Sequence, residues 1–115
     1  MEDKNKLREE TIDFAIAVSD ICDDIKGCSV YVNQLIRSSS SIGANIHEAK
    51  YAQSRADFIH KFEIALKESS ETDFWIELLY RKKRINEDDY KKLKNQCGAI
   101  RRKLIASVTT AKNNA

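Results

Sequence analysis

The chain has 115 residues, of which 33% are charged and 42% are hydrophobic, and its formal net charge is +2. It has no proline and only three glycines, so few positions interrupt helix formation. No apolar run approaches the roughly 20 residues that span a bilayer. The N-terminal segment MEDKNKLREE lacks the apolar core of a signal peptide. We therefore expect one all-α domain over residues 1–115, located in the cytoplasm and without a membrane partner.

The three cysteines do not indicate a metal site or a disulfide framework. Cys22, Cys28 and Cys97 are scattered and form no Cys-x-x-Cys pair. Cys22 and Cys97 fall on apolar helix faces, where cysteine acts as a small core residue, and Cys28 falls in a predicted loop. No nucleophile with a neighbouring base can be identified. The sequence therefore predicts no catalytic residue, no metal ligand and no cofactor.

Apolar residues recur at steps of three and four along a first predicted helix, residues 4–26. Gly27 is a natural end for this helix, and Ser29 is a candidate N-cap for the next. The second helix is predicted over residues 30–51. It includes four consecutive serines, Ser38 to Ser41, because the apolar period keeps its phase on both sides of them.

Two further helices are predicted over residues 55–81 and 87–112. Ser54 and Asp57 resemble a capping box at the start of the third helix. Asn86 can cap the fourth, whose first turn, Glu87 to Asp89, carries the negative charge that a helix N-terminus favours. Short connections make neighbouring helices antiparallel, so the sequence predicts an antiparallel up-down-up-down four-helix bundle.

Some apolar residues lie outside the four core stripes. Such residues either widen the buried face or form a second surface through which the protein associates with itself. We favour the second interpretation and predict an oligomer interface. Its candidate residues are Ile12, Ile16, Ile59, Trp75 and Leu78.

The segments SSSSIGANIHEA, SRADFIHKFEIALKESSETDFW and INEDDYKKL carry a family resemblance. In order and register they resemble the 23S rRNA-intervening sequence proteins, named for reading frames inside insertions in 23S rRNA genes. The residues that match are Ser41, Ile42, Ala44, Asn45, Ile46, Glu48, Ser54, Asp57, Phe58, Ile59, Ile64, Ala65, Leu66, Glu68, Glu71 and Trp75.

The resemblance implies a left-handed bundle that assembles as a homopentamer. The family is similar to the accessory variability determinants of diversity-generating retroelements. These are pentameric barrels thought to bind nucleic acid and a reverse transcriptase. The resemblance therefore implies RNA or DNA, or a protein such as a reverse transcriptase, as partners.

Charge is divided unevenly along the chain. Residues 1–26 carry four Lys or Arg and eight Asp or Glu, whereas residues 86–115 carry seven and three. The acidic helix either pairs with the basic one or organises subunit contacts, and the sequence leaves both open. A basic surface repeated around a ring would attract phosphate without reading sequence. The candidate nucleic-acid-binding residues are Arg81, Lys82, Lys83, Arg84, Lys91, Lys94, Arg101, Arg102 and Lys103.

These observations together predict a non-enzymatic oligomeric scaffold that binds nucleic acid, in particular RNA, through its basic surface. The alternative is that the charged face is only solvated. The protein would then be a protein–protein interaction adaptor without nucleic-acid contact.

Overall fold

The computed structural model describes residues 4–114, with side chains from Lys6 onward. Four helices make up most of this range, and no strand occurs within it. They are α1 (Lys4–Asp23), α2 (Ser29–Ala49), α3 (Arg55–Arg81) and α4 (Glu87–Asn113). The prediction of an all-α four-helix protein is therefore confirmed.

The connection between α1 and α2 corrects two boundary predictions. α1 ends at Asp23, three residues before the predicted end at Lys26. Gly27 and Cys28 both have positive φ, 80° and 54°, so the chain turns sharply over two residues. Cys28 occupies the N-cap position of α2 and its side chain makes no capping bond. Ser29 is therefore the first residue of α2 and not its cap.

The other two helix starts are capped as the sequence predicts. The Ser54 hydroxyl accepts a hydrogen bond from the Asp57 backbone N–H at 3.0 Å. The Asp57 carboxylate in turn accepts from the Gln53 backbone N–H at 3.2 Å. At α4, the Asn86 side chain accepts from the Asp89 backbone N–H at 2.7 Å. These bonds satisfy amide groups that have no partner within the helix.

The serine run in α2 stays helical because buried serines use their own helix as a partner. The hydroxyls of Ser38 and Ser39 lie within 3.4 and 3.2 Å of the carbonyls three residues earlier. On α3, the Thr72 hydroxyl lies 2.8 Å from the Glu68 carbonyl and 2.9 Å from the Ser38 hydroxyl. Small polar side chains therefore fill the α2–α3 seam with their hydrogen-bonding groups satisfied.

Each helix packs against two neighbours, in the order α1, α2, α3, α4 and back to α1. Glu48 at the end of α2 pairs with Lys61 near the start of α3, whereas Arg37 pairs with Glu68 further along α3. Likewise, Lys94 early in α4 pairs with Glu77 late in α3, and Lys112 at the end of α4 pairs with Glu63 early in α3. The α2–α3 and α3–α4 pairs are therefore antiparallel. The left-handed twist of the bundle, which the family resemblance implies, stays a prediction. The largest fully buried side chains include Phe14, Leu35, Ile42, Phe62, Ile76, Leu79, Leu93, Ile100 and Leu104.

α1 and α2 approach closely at Gly43. A Cβ atom added to Gly43 would lie 2.9 Å from the Thr11 Oγ1 atom and 3.2 Å from its Cβ. Thr11 is buried, and its hydroxyl donates to the Arg8 carbonyl at 2.7 Å, so the side chain cannot rotate away freely. Position 43 therefore requires glycine, because the Cβ atom of any other residue would lie too close to Thr11.

Replacing Gly43 by alanine should destabilise the protein despite the better helix propensity of alanine. We expect a loss of about 1–3 kcal/mol from overpacking against Thr11. The matched control is Gly98→Ala in α4, where the new Cβ would meet only the flexible end of Arg102 at 3.4 Å. That variant should gain up to about 1 kcal/mol. Urea unfolding followed by circular dichroism measures the stability of both variants. Equal changes in the free energy of unfolding would contradict the close approach of α1 and α2 at Gly43.

Candidate nucleic-acid interface

The predicted basic residues lie in two adjoining regions of the bundle. Arg81 ends α3, and Lys82 to Arg84 form the turn that leads to α4 at one end of the molecule. The other candidates lie along α4, between Lys91 and Lys103. Lys91 and Arg101 are separated by about 15 Å along the helix axis. The candidates therefore extend from one end of the bundle along α4.

The basic turn has the hydrogen bonds of a Schellman motif. The Lys83 N–H donates to the Tyr80 carbonyl and the Arg84 N–H to the Leu79 carbonyl, both at 2.9 Å. Lys83 occupies the left-handed position, with φ 62°, where glycine is usual. The backbone of the turn is thus hydrogen-bonded, and the side chains of Lys82, Lys83 and Arg84 are all exposed.

Two of the predicted cations are held by one carboxylate. Glu77 accepts from the Arg81 Nε atom at 2.8 Å and lies 3.1 Å from the Lys94 Nζ atom. Lys94 also pairs with Asp73 at 3.0 Å. The Tyr90 hydroxyl donates to Glu77 at 2.6 Å. Together these donors lower the pKa of the Glu77 carboxyl group to about 2. The Tyr90 hydroxyl has the largest effect, followed by Arg81 and then Lys94.

Two more predicted cations also face carboxylates. Lys91 lies 3.6 Å from Glu87, one turn away on α4, and Lys103 pairs with Glu10 of α1. Lys94 and Lys103 are the more sequestered, because their side chains are largely covered and each crosses to another helix. These pairings reduce the positive charge available to an external phosphate.

The remaining candidates have no carboxylate partner within the described residues. Lys82, Lys83, Arg101 and Arg102 are exposed and unpaired, and Arg84 reaches only the Lys26 carbonyl, at 3.5 Å. The site prediction omitted Lys92, which is exposed and unpaired on the same helix. Its position next to Lys91 was the available signal. We call this set the free basic surface: Lys82, Lys83, Arg84, Lys92, Arg101 and Arg102.

The acidic first helix makes few compensating contacts. Glu10 pairs with Lys103, but Glu9, Asp13 and Asp20 have no ion pair within the described part of the chain. Within the described residues, the alternative that α1 pairs with α4 therefore holds only for Glu10 and Lys103. The carboxylates of Glu9, Asp13 and Asp20 and the cations of the free basic surface do not pair with each other.

The predicted interface residues divide into two groups. Ile12 and Ile16 on α1 are 40% and 54% exposed. Ile59, Trp75 and Leu78 on α3 are only partly exposed, because they pack against the core. The oligomer interface stays a prediction, and its five residues lie on α1 and α3, two helices that do not pack directly against each other.

Trp75 has partners within its own chain. Its ring stacks on Tyr31 of α2 with centroids 5.9 Å apart, and its indole N–H donates to Glu71 at 2.9 Å. The predicted interface omitted Phe74, which is 56% exposed and meets Trp75 edge-on at 4.9 Å.

A shallow groove of about 280 Å³ lies between α1 and α2 beside the exposed isoleucines. Small residues of α2 form one wall and Ile12 and Ile16 line the other, so the groove is apolar. Its full lining is Thr11, Ile12, Ala15, Ile16, Ser19, Ser40, Gly43 and Ala44.

A family model described as 23S rRNA-intervening sequence protein matches residues 3–106. The chain belongs to this family. A similar solved structure from Bacteroides thetaiotaomicron is described as a protein with unknown function from the S23 ribosomal protein family. It is 38% identical, with a TM-score of 0.87 over 92% of this chain and 97% of its own. A search of the curated proteins found no match.

Neither the family nor the solved relative is described by an enzymatic activity. In this family member, burial raises the pKa of the Cys22 thiol to about 11 and of the Cys97 thiol to about 12. Both thiols therefore stay protonated and unreactive at neutral pH. The described residues contain no cluster of three potential metal ligands. None of the described helices is long and apolar enough to cross a membrane.

The Glu77 cluster should make stability depend on pH. Because folding lowers the pKa of Glu77 from 4.5 to about 2, its contribution is complete above pH 4.5 and is lost as the pH falls toward 2. Glu77→Gln should therefore lower the urea midpoint at pH 7, and the difference from the parent should shrink between pH 4.5 and pH 2. Glu63→Gln, which removes an exposed pair with Lys112, is the control and should change the midpoint little. If the difference in urea midpoint between Glu77→Gln and the parent stays constant from pH 4.5 to pH 2, the lowered pKa of Glu77 is contradicted.

Proposed function

We propose that this protein is a non-enzymatic oligomeric scaffold that binds RNA through its free basic surface. The observation that carries the proposal is the set of exposed cations that have no carboxylate partner among the described residues. These cations lie on the α3–α4 turn and along α4. Cations without internal partners are available to phosphate groups at no cost in broken ion pairs.

Such a surface is suited to binding phosphate groups. Exposed Lys and Arg side chains bind phosphates largely without reading sequence, and binding releases counterions. Four phosphate contacts to a single strand would weaken binding about 50-fold between 50 and 200 mM salt. The solved relative is described as a member of a ribosomal protein family, and this makes RNA the first nucleic acid to test.

Removing Arg101 and Arg102 together should weaken RNA binding without affecting assembly. We expect Arg101→Ala with Arg102→Ala to lose about 10- to 30-fold in affinity at 0.1 M salt and about 1.4 units of the salt slope. The measurement is fluorescence anisotropy with a labelled single-stranded RNA across a salt series.

The charge-matched control is Lys6→Ala with Lys67→Ala, two exposed lysines on α1 and α3. It changes the net charge equally but leaves the free basic surface intact, so its affinity should stay within about threefold of the parent. Equal losses in both double variants would show that net charge alone attracts RNA. If the arginine variant binds RNA as tightly as the parent, this part of α4 does not contact RNA.

Self-association through the groove between α1 and α2 is the second part of the proposal. Ile12 and Ile16 expose apolar surface next to a concave apolar wall, an arrangement that a second copy can cover. A head-to-tail contact forms a ring when the rotation between successive copies closes, and the ring that the family resemblance implies is a homopentamer.

A charge placed in the groove should reduce the size of the assembly. Ile16→Glu buries a carboxylate against apolar groups if the subunit contact forms, and this costs several kcal/mol. Multi-angle light scattering should then give a lower mass for Ile16→Glu, with parent-like helicity by circular dichroism.

Val30→Glu is the matched control, because Val30 is 69% exposed on the first turn of α2 and does not line the groove. It should assemble like the parent. Loss of assembly in both variants, or in neither, would contradict the placement of the contact.

A protein adaptor without nucleic-acid contact is the alternative, with a partner such as a reverse transcriptase. The exposed aromatic and aliphatic side chains of Phe74 and Val30 favour it, since they provide contact surface away from the cations. Absence of RNA binding at low salt would favour this alternative.

A further inference from the structure

A cleft of about 710 Å³ opens at the end of the bundle where the basic turn lies. Its volume is within the usual range of small-molecule sites, about 300–1,000 Å³. The apolar part of its lining comes from Ile21 of α1, from Ile25 just after that helix, and from Tyr80 and Ile85 around the α3–α4 turn. The cleft is thus concave and partly apolar, unlike the convex face of α4.

Three cations of the basic turn line this cleft. They are Arg81, Lys83 and Arg84, whereas Lys82, in the middle of the same run, does not line it. Arg81 is held by Glu77, but Lys83 has no ion pair within the described residues. Lys83 also occupies the left-handed position of the turn, where glycine is usual. A lysine at this position that lines a cleft without an ion pair is available to an anionic ligand.

Two carboxylates line the same cleft without pairing with these cations. They belong to Asp24 after α1 and Asp89 in the first turn of α4. Arg84 reaches the Lys26 carbonyl rather than either carboxylate. The cleft therefore offers separate donors for an anion and acceptors for hydroxyl groups.

Tyr80 supplies an aromatic surface to the cleft. Its ring stacks closely on Tyr90, with centroids 3.8 Å apart and planes inclined by 16°. Tyr90 covers one face of the Tyr80 ring, and Tyr80 lines the cleft whereas Tyr90 does not. A ring fixed in this way is a suitable platform for a nucleic-acid base.

We propose that this cleft binds one unpaired ribonucleotide. Lys83 and Arg84 contact its phosphate, Tyr80 contacts its base, and Asp24 or Asp89 accepts hydrogen bonds from its ribose hydroxyls. The inference rests on the proposed RNA-binding function and deepens it, because the carboxylates give a reason to prefer RNA over DNA. The 2′-hydroxyl is the group that separates the two at such a site.

The direct test is titration of the full-length protein with adenosine 5′-monophosphate, followed by amide chemical shifts in NMR. Saturable shifts should map to the cleft, at residues 21–26 and 80–89. The 2′-deoxy analogue should bind several-fold more weakly, since it lacks one hydroxyl donor. Inorganic phosphate should bind more weakly still. Phosphate binding as tight as the nucleotide's would overturn the nucleotide assignment, and so would shifts that do not saturate or that map elsewhere.

Variants test whether the named cations hold the phosphate. Lys83→Gly with Arg84→Gln keeps the turn, because glycine suits the left-handed position, and should weaken the nucleotide roughly 10- to 100-fold. Lys82→Gln removes a neighbouring charge outside the cleft and should bind within about twofold of the parent. Equal losses in the two variants would show general electrostatic attraction and overturn the site.

The same variants separate this inference from the proposed function. If RNA binding depends on Arg101 and Arg102 but not on Lys83 and Arg84, and the monophosphate does not bind the cleft, the ribonucleotide site is wrong and the scaffold proposal stands. If RNA does not bind at any salt concentration, the proposed function fails. In that case the monophosphate titration alone decides whether the cleft is a nucleotide site.

Discussion

The close approach of α2 and α3 is the contact on which the rest of the bundle depends. Ser38, Ser39, Ser69 and Thr72 are all buried in or beside this seam. Their hydroxyls bond to carbonyls of their own helices, and the Ser38 and Thr72 hydroxyls also lie 2.9 Å apart. Short side chains bring the helices together, and internal hydrogen bonds remove the cost of burying their polar groups. α1 and α4 then pack against this pair and against each other.

Charge pairing across the seams decides which basic residues remain available for a ligand. The pairs of Lys94 with Asp73 and of Lys103 with Glu10 join residues far apart in the chain. They leave Arg101 and Arg102, close to Lys103 in sequence, facing solvent without carboxylate partners among the described residues. Neighbouring residues of one basic run therefore have different electrostatic roles. The difference follows from the direction in which each side chain leaves α4.

The α3–α4 turn combines features that a single helix face cannot provide. A Schellman turn places Lys83 at a left-handed position, and a stacked tyrosine pair stands beside it. The segment around the end of α1 adds Asp24 and two isoleucines from the other side. A concave surface with cations, carboxylates and an aromatic ring results from three separate segments of the chain.

Local sequence was enough to predict the four helices and two of their caps, whereas packing between helices selected the accessible site residues. Apolar periodicity and capping are properties of short segments, so they can be recognised without knowledge of the tertiary contacts. The early end of α1 was missed, because the sequence places its first strong stop signal at Gly27 and the helix ends at Asp23. The left-handed conformation of Cys28 was missed too, since the sequence offers only the preceding glycine as a signal.

The accessibility of each site candidate could not be read from the sequence. Nine basic residues were grouped by their proximity along the chain, but Lys94 and Lys103 are engaged by carboxylates of other helices. Likewise Trp75 and Ile16 are both apolar residues off the core stripe. Trp75 packs in the α2–α3 seam against Tyr31, whereas Ile16 is 54% exposed. Side-chain pairing between distant segments depends on helix rotation and register, and these are set by packing rather than by local pattern.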